Sequence, residues 1–367
     1  MIPPRKHQMN KGPMPGPGPV SRRRLLWNGF KFNFAGVETF VRHQFARWFA
    51  AQRSARRLTH VAGPARPEAR AGVALVAAYY GDAHLVAPFV DHHRRLGIGE
   101  FVFLDLSPGG DLTRHLAGDR AASVWRPRDS WREADVLNFL NFLRGRYATG
   151  RWCLSLEMSD FFVFYRSESR HIRDFVDFLE SESRRQVFAM VVDMYADSPA
   201  ATIDLDAARD PVRALPYFDP FGYATSANPS ALRDVVVRGG VQRRALYNSD
   251  PSRTPALNRM PLAKWGRFCA YIADTRLLAP SRLNIPHSPW HTSPTACLLR
   301  FALLSSEAHL ASAAKAEDAG LMVDDGGYGY AGLAELRHMA LRRDFSRTYE
   351  STHDLVDSGL LNPGQWF

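Results

Sequence analysis

Lysine is scarce. It occurs only at positions 6, 11, 31, 264 and 315, so nearly all of the positive charge behind the formal net charge of +10 is arginine. The excess is spread along the chain rather than gathered into a stripe that would track phosphates, which argues against nucleic acid as a partner. Cysteine is scarcer still. Cys153, Cys269 and Cys297 lie far apart and form no CxxC pair, which excludes a disulfide framework and a structural zinc site and fits a reducing, cytoplasmic setting. No apolar run approaches the roughly 18–20 residues that a membrane span needs. The N-terminus has neither the apolar core nor the cleavage site of a secretory signal, so none is expected. The composition that is left is ordinary for a globular protein: of 367 residues, 46% are hydrophobic and 23% charged, enough to bury a substantial core.

Residues 1–24 are rich in Pro and Gly with basic flanks, and residues 1–35 are expected to form a disordered basic arm. Between residues 36 and 58 the pattern changes to Val37, Phe40, Val41, Phe45, Trp48 and Phe49 at three- and four-residue spacing, with five arginines interspersed. That is the signature of a basic amphipathic helix. It has two readings, a peripheral contact of residues 37–58 with the anionic inner face of a membrane, or packing against the folded body. Residues 59–71 read as a linker that completes the 36–71 segment.

The folded body is expected to span residues 72–304. VALVAAYY is a continuous apolar run ending in Gly81-Asp82, the form of a strand buried on both faces of a sheet. Residues 84–96 read as a helix stopped by Gly97, and EFVFLDL at 100–106 as a second buried strand. This βαβ order predicts a mostly parallel α/β sheet. Asp82 and Asp105 then fall beyond the carboxyl ends of strands, where open α/β sheets bind ligands. A short strand at 121–125 and a helix at 132–147 lead into the stretch that organises the chain, GRWCLSLEMSDFFVFY at 150–165. It sets Glu157, Ser159 and Asp160 between two apolar runs. Carboxylates there need solvent, a partner or a cation. Four acidic residues from three strands are therefore expected on one sheet edge.

A helix over 170–181 and a strand over 187–195, with Asp193 near its end, follow. Residues 197–235 look loop-rich. RGGVQRR at 238–244 offers two glycines and several arginines that can hold an anion, or equally a tight turn with solvated arginines. His287 and His291 sit in a Pro-interrupted loop. From residue 305 onward the chain reads as a peripheral helical appendage.

Four ordered segments carry a family resemblance: YYGDAHLVAPFVDHHRRLGIGEFVFLDLS, NFLNFLRGRYATGRWCLSLEMSDFFVFY, RGGVQRR with NRMPLAKW, and the His-containing loop followed by CLLRF. Together, over about residues 73–305, they resemble bacterial glycosyltransferases of the family 2 type, in the subgroup related to family 92, with the GT-A fold. The resemblance implies a nucleotide-sugar donor and a divalent cation, Mn²⁺ or Mg²⁺, bridging the donor diphosphate. It places Asp105 at the nucleoside and Asp82 facing the nucleotide, Arg243 at the diphosphate, and Glu157, Ser159 and Asp160 at the metal, with His287 completing that site. The acceptor it implies is a glycan or lipid-linked group of the cell envelope or an exopolysaccharide.

Inversion at the anomeric carbon needs a general base. Asp193 and Asp219 are the candidates, with Asp219 preferred because PYFDPFGY puts it in a loop. Trp265 can stack on a sugar face or fill the core. The chain also departs from the family pattern. Asp-x-Asp-Glu has become Glu157-Met158-Ser159-Asp160, and Leu-His-Phe-Lys has become Leu299-Arg300-Phe301-Ala302. Two functions are therefore in play, a glycosyltransferase and a catalytically silent relative that binds without turnover.

Overall fold

The computed structural model describes residues 44–66, 72–205, 209–228, 234–248, 250, 254–273, 275, 277–284, 293–318 and 329–366. The expected arm at 1–35, the first turns of the amphipathic helix, and His287 and His291 lie outside the described residues.

Strand β1 (Leu58–Ala62) precedes β2 (Val73–Tyr79), which is buried along its whole length. Helix α2 (Ala83–Arg95) connects β2 to β3 (Glu100–Asp105), and the chain continues through β4 (Ala122–Pro127), helix α3 (Glu133–Ala148), β5 (Trp152–Glu157) and β6 (Asp160–Phe164). Helix α4 (Ile172–Ser181) leads to β7 (Gln186–Asp193), and β11 (Asn258–Lys264) and β14 (Ala296–Arg300) come later, with the separate antiparallel pair β12 (Ala270–Ala273) and β13 (Leu277–Ala279) between them. The other strands form one nine-stranded sheet in the order β1-β4-β3-β2-β5-β11-β7-β14-β6. β2 pairs in parallel with β3 and β5, β3 with β4, and β14 with β7. β11 runs antiparallel between β5 and β7, while β1 and β6 are antiparallel to their neighbours at the two ends of the sheet. The carboxyl ends of six strands and the starts of β1, β6 and β11 therefore share one edge.

Alternation along β2 builds two cores. Val73, Leu75, Ala77 and Tyr79 join Leu85 and Phe89 of α2 on one face. Ala74, Val76 and Ala78 join Val136, Phe139 and Leu143 of α3 on the other. A period of two with both sets apolar is what a strand covered on both faces requires. The outer side of β6 is closed by α2 rather than by another strand. The His93 Nδ1 donates to Phe89 O at 2.8 Å, leaving Nε2 to accept from the Phe162 N–H at 3.3 Å. His92 Nε2 donates to Phe162 O at 2.9 Å.

Three expectations need correction. The presumed linker at 59–71 contains most of β1, because His60 and its neighbours pair with the edge strand β4. The amphipathic segment, by contrast, follows its second reading: it is helical at α1 (Ala46–Ser54) and packs against α3, with Trp48 edge-on to Phe268 at 5.7 Å, although Phe45 and Phe49 stay exposed. The loop-rich stretch holds β8 (Tyr217–Phe218) and the hairpin of β9 (Ala224–Asn228) and β10 (Asp234–Arg238). The Gly-Gly-Arg motif that follows at 238–244 leads from β10 into a helix, α5 (Gly240–Leu246), rather than into either of the turns expected. At Gly239, φ is 153° and a Cβ would lie 2.4 Å from Gly222 O, so glycine there lets the 222–223 loop lie against the start of α5.

The C-terminal region is helical in part, through α6 (Glu307–Asp318), α7 (Tyr330–Leu336) and α8 (Thr352–Asp357). It is not peripheral. Leu310, Leu333, Leu336, Leu355 and Trp366 belong to the same apolar cluster as β2 and β7, and β15 (Arg347–Thr348) pairs with β8.

Candidate functional site

Strand register brings the expected acidic residues together. Tyr79 pairs with Asp105 and Ala78 with Glu157, so Asp105, Glu157 and the residues just after β2 end level with one another. On the far side of β11, Arg300 is the register partner of both Asp160 on β6 and Asp193 on β7. Positive φ at Gly81 (117°) turns the chain out of β2 and sets Asp82 at the start of α2.

Asp82 holds the cap position of α2 without capping it. Its Oδ1 accepts the Ser306 N–H at 2.9 Å and its Oδ2 lies 2.6 Å from His309 Nδ1. Burial would raise its pKa, but the His309 and Ser306 bonds outweigh that and hold it below the usual carboxylate value. The His309 ring stacks on Tyr80 at 4.7 Å, and Tyr80 meets Trp131 edge-on at 6.5 Å. Asp105 Oδ1 accepts from the Ser107 amide at 2.9 Å and from the Ser107 hydroxyl at 2.6 Å, while Arg126 Nε lies 3.6 Å from Oδ2. Desolvation still raises its pKa.

At the β5–β6 turn, Glu157 accepts the Tyr330 hydroxyl from α7. Burial, and then the charge of Asp160, push the Glu157 carboxyl upward. Burial also raises Asp160, against the pull of Arg300 and then Arg259. Arg300 Nε donates to Asp193 Oδ1 at 2.5 Å, with side chains 1% and 4% exposed. Burial disfavours the charged guanidinium, and Asp193 more than offsets it. Arg259 is fully buried, its Nη1 donating to Ala256 O at 2.8 Å and Asn258 O at 2.9 Å. Asp160 Oδ1 and Asp193 Oδ2 accept no hydrogen bond among the described residues.

The other expected residues are not at this cluster. Asp219 is 3% exposed and closed on both oxygens: Arg244 donates bidentately at 3.0 and 3.1 Å, and the Tyr195 hydroxyl at 2.5 Å. This leaves it a structural ion pair rather than an available base, and Arg244 has the anion-holding role expected of its neighbour. Arg243 donates to Gly222 O at 2.8 Å. Trp265 follows the last residue of β11 at the opposite edge of the sheet, 1% exposed and tilted against Tyr271 at 5.5 Å, which corrects the sugar-stacking expectation.

The residue types at 157–160 suit a cation only in part. Ser159 offers a hydroxyl where a carboxylate would bind far better, Glu157 is bonded to Tyr330, and Asp160 stands beside Arg300 and Arg259. Among the described residues, no three His, Cys, Asp or Glu side chains converge as a metal would need. Among the described residues, Glu157, Ser159 and Asp160 do not by themselves make up the donor set of a divalent cation, and His287, the fourth expected ligand, lies outside them.

Sequence reasoning missed Ser306, His309 and Tyr330, which reach the site from a tail with no motif of its own. It also took Arg300 only as a departure from the family pattern. The one local signal was the position of Arg300 at the end of an apolar run, the same signal that marked Asp105 and Asp193. No protein-family model matches the chain, and no curated protein matches it in sequence.

Proposed function

We propose that this protein is a glycosyltransferase of GT-A organisation that moves a sugar from a nucleotide-sugar to a cell-envelope or exopolysaccharide acceptor with inversion. The observation that carries this reading is the meeting of Asp105, Glu157, Asp160 and Asp193 at one sheet edge, with Asp82 just beyond β2. Ligands of open α/β sheets bind at that edge. Asp105 and the aromatic pair Tyr80 and Trp131 suit a nucleoside. The guanidiniums of Arg300 and Arg259 lower the cost of placing a diphosphate nearby.

In the reaction, the acceptor oxygen forms a bond to the anomeric carbon as the bond from that carbon to the diphosphate oxygen breaks. The diphosphate leaves with the bonding electrons, and the acceptor hydroxyl gives its proton to a carboxylate. Asp193 suits that role better than Asp219, because Oδ2 of Asp193, though buried, accepts no hydrogen bond among the described residues, whereas both oxygens of Asp219 are engaged. General base catalysis of this kind typically contributes about 10²–10⁴-fold.

Thermal unfolding of the full chain against nucleotides and nucleotide-sugars tests the reading. A ligand at about 100 times its dissociation constant adds about 2.7 kcal/mol to stability. One nucleotide-sugar is expected to stabilise the protein and its diphosphate to compete; no shift with any of them rejects the proposal.

A second reading has an observation of its own. Asp82 and Glu157 are both already bonded to the C-terminal region, through Ser306, His309 and Tyr330, which favours a binding protein without turnover. Donor binding with no sugar transfer or hydrolysis would select it.

A further inference from the structure

We infer that this site carries its own counter-charge, Arg300 with Arg259, in place of a divalent cation, and that donor binding needs no metal. The inference rests on the nucleotide-sugar reading above. Asp160, Arg300 and Asp193 are register partners on the adjacent strands β6, β14 and β7. Neighbouring strands lie about 4.8 Å apart, so the two carboxylates spring from backbone about 10 Å apart with the guanidinium strand between them. An ion with oxygen distances of about 2.0–2.2 Å cannot join them without displacing Arg300. That displacement would break a 2.5 Å ion pair whose side chains are 1% and 4% exposed.

Charge arithmetic leads the same way. Glu157, Asp160 and Asp193 form an acidic group that needs compensation, and two guanidiniums bring the same formal +2 as Mg²⁺ or Mn²⁺. Both act on the group, because Arg300 and then Arg259 oppose the burial of Asp160, and Arg259 does so for Glu157. Arg259 is fixed by two backbone carbonyls. Their charge stays where it is needed without the reorganisation that recruiting an ion from water entails. Because both side chains are buried, they are positioning residues that set the potential at the edge.

Binding of UDP, GDP and ADP and of their glucose conjugates to the full chain, measured in EDTA and in Mn²⁺, tests this. The best ligand is expected to bind with dissociation constants within about threefold in the two buffers. Binding that is more than about tenfold weaker in EDTA overturns the inference while leaving the transferase reading intact. No binding in either buffer overturns both. Manganese resonance titration of the protein alone gives a readout without nucleotide, and a stoichiometric bound Mn²⁺ also overturns the inference.

Arg300→Met supplies the signature that a purely structural role would not give. It is expected to weaken binding in EDTA by about tenfold or more, with partial recovery in Mn²⁺ as Asp160 and Asp193 become available. Equal loss in both buffers counts against the inference. Arg300→Lys, which keeps the charge, is expected to retain binding in EDTA, and the wild-type comparison stands if Arg300→Met does not fold.

Discussion

Asp219 shows how far a side chain's role depends on its partners. In sequence it is a loop aspartate, and in the fold it is buried under a bidentate arginine and a tyrosine hydroxyl. Removing one member of such a pair leaves an uncompensated buried charge. Asp219→Asn is therefore expected to cost about 3 kcal/mol in urea unfolding while leaving nucleotide affinity in the native protein unchanged. Loss of affinity without loss of stability would return Asp219 to the active site. Glu157 and Asp82 make the converse case. They were expected at the edge by strand direction, and each is engaged there by a hydroxyl or imidazole from a distant helix. Trp265, whose residue type fitted a sugar platform, is core because β11 runs antiparallel and ends at the wrong edge.

At the scale of elements, the closure of β6 by α2 makes acid sensitivity a property of one helix. An unpaired strand edge invites pairing with other chains, and His92 and His93 occupy it in their neutral forms. Burial lowers His92 from 6.5 to about 4, with Arg95 on the same helix adding to the effect, and drives His93 well below its usual value. Both folded values lie below the unfolded one. Between about pH 6.5 and 4 the unfolded chain takes up protons that the folded chain refuses, so stability is complete above that window and falls as pH drops through it. The His92 contribution is on the order of 3 kcal/mol at the acid end. Urea midpoints at pH 7 and pH 5 are expected to differ by less in His92→Gln than in the wild type. An equal difference would assign the acid effect to other groups.

For the molecule as a whole, the C-terminal region decides where the domain ends. Leu310, Leu333, Leu336, Leu355 and Trp366 fill the core cluster that β2, β7 and α2 begin. A chain stopped at residue 304 would expose that apolar surface and lose the bonds to Asp82 and Glu157. Each large apolar side chain left without its cover forgoes about 1.5–3 kcal/mol. Such a truncation is expected to show no cooperative thermal transition by circular dichroism, whereas an intact transition would restore the picture of a peripheral appendage.

The parts of this protein readable from sequence are those that local physics controls. Short continuous apolar runs bounded by turn residues, such as VALVAAY, have the form of strands covered on both faces, and those turn residues stop β2 and β3 within a residue or two of expectation. Strand direction then puts Asp82, Asp105, Glu157 and Asp160 at one edge without any knowledge of contacts. What the tertiary structure alone decided are pairings across long separations. His309 meets Asp82 across 227 residues, Tyr330 meets Glu157 across 173, and Arg300 meets Asp193 across 107. Such contacts leave no periodicity, because each is a single side chain whose partner is set by sheet order and helix packing. The same holds for β1, whose polar edge looks like a linker until β4 lies beside it, and for the buried guanidiniums, whose charge is tolerable only because three carboxylates converge around them.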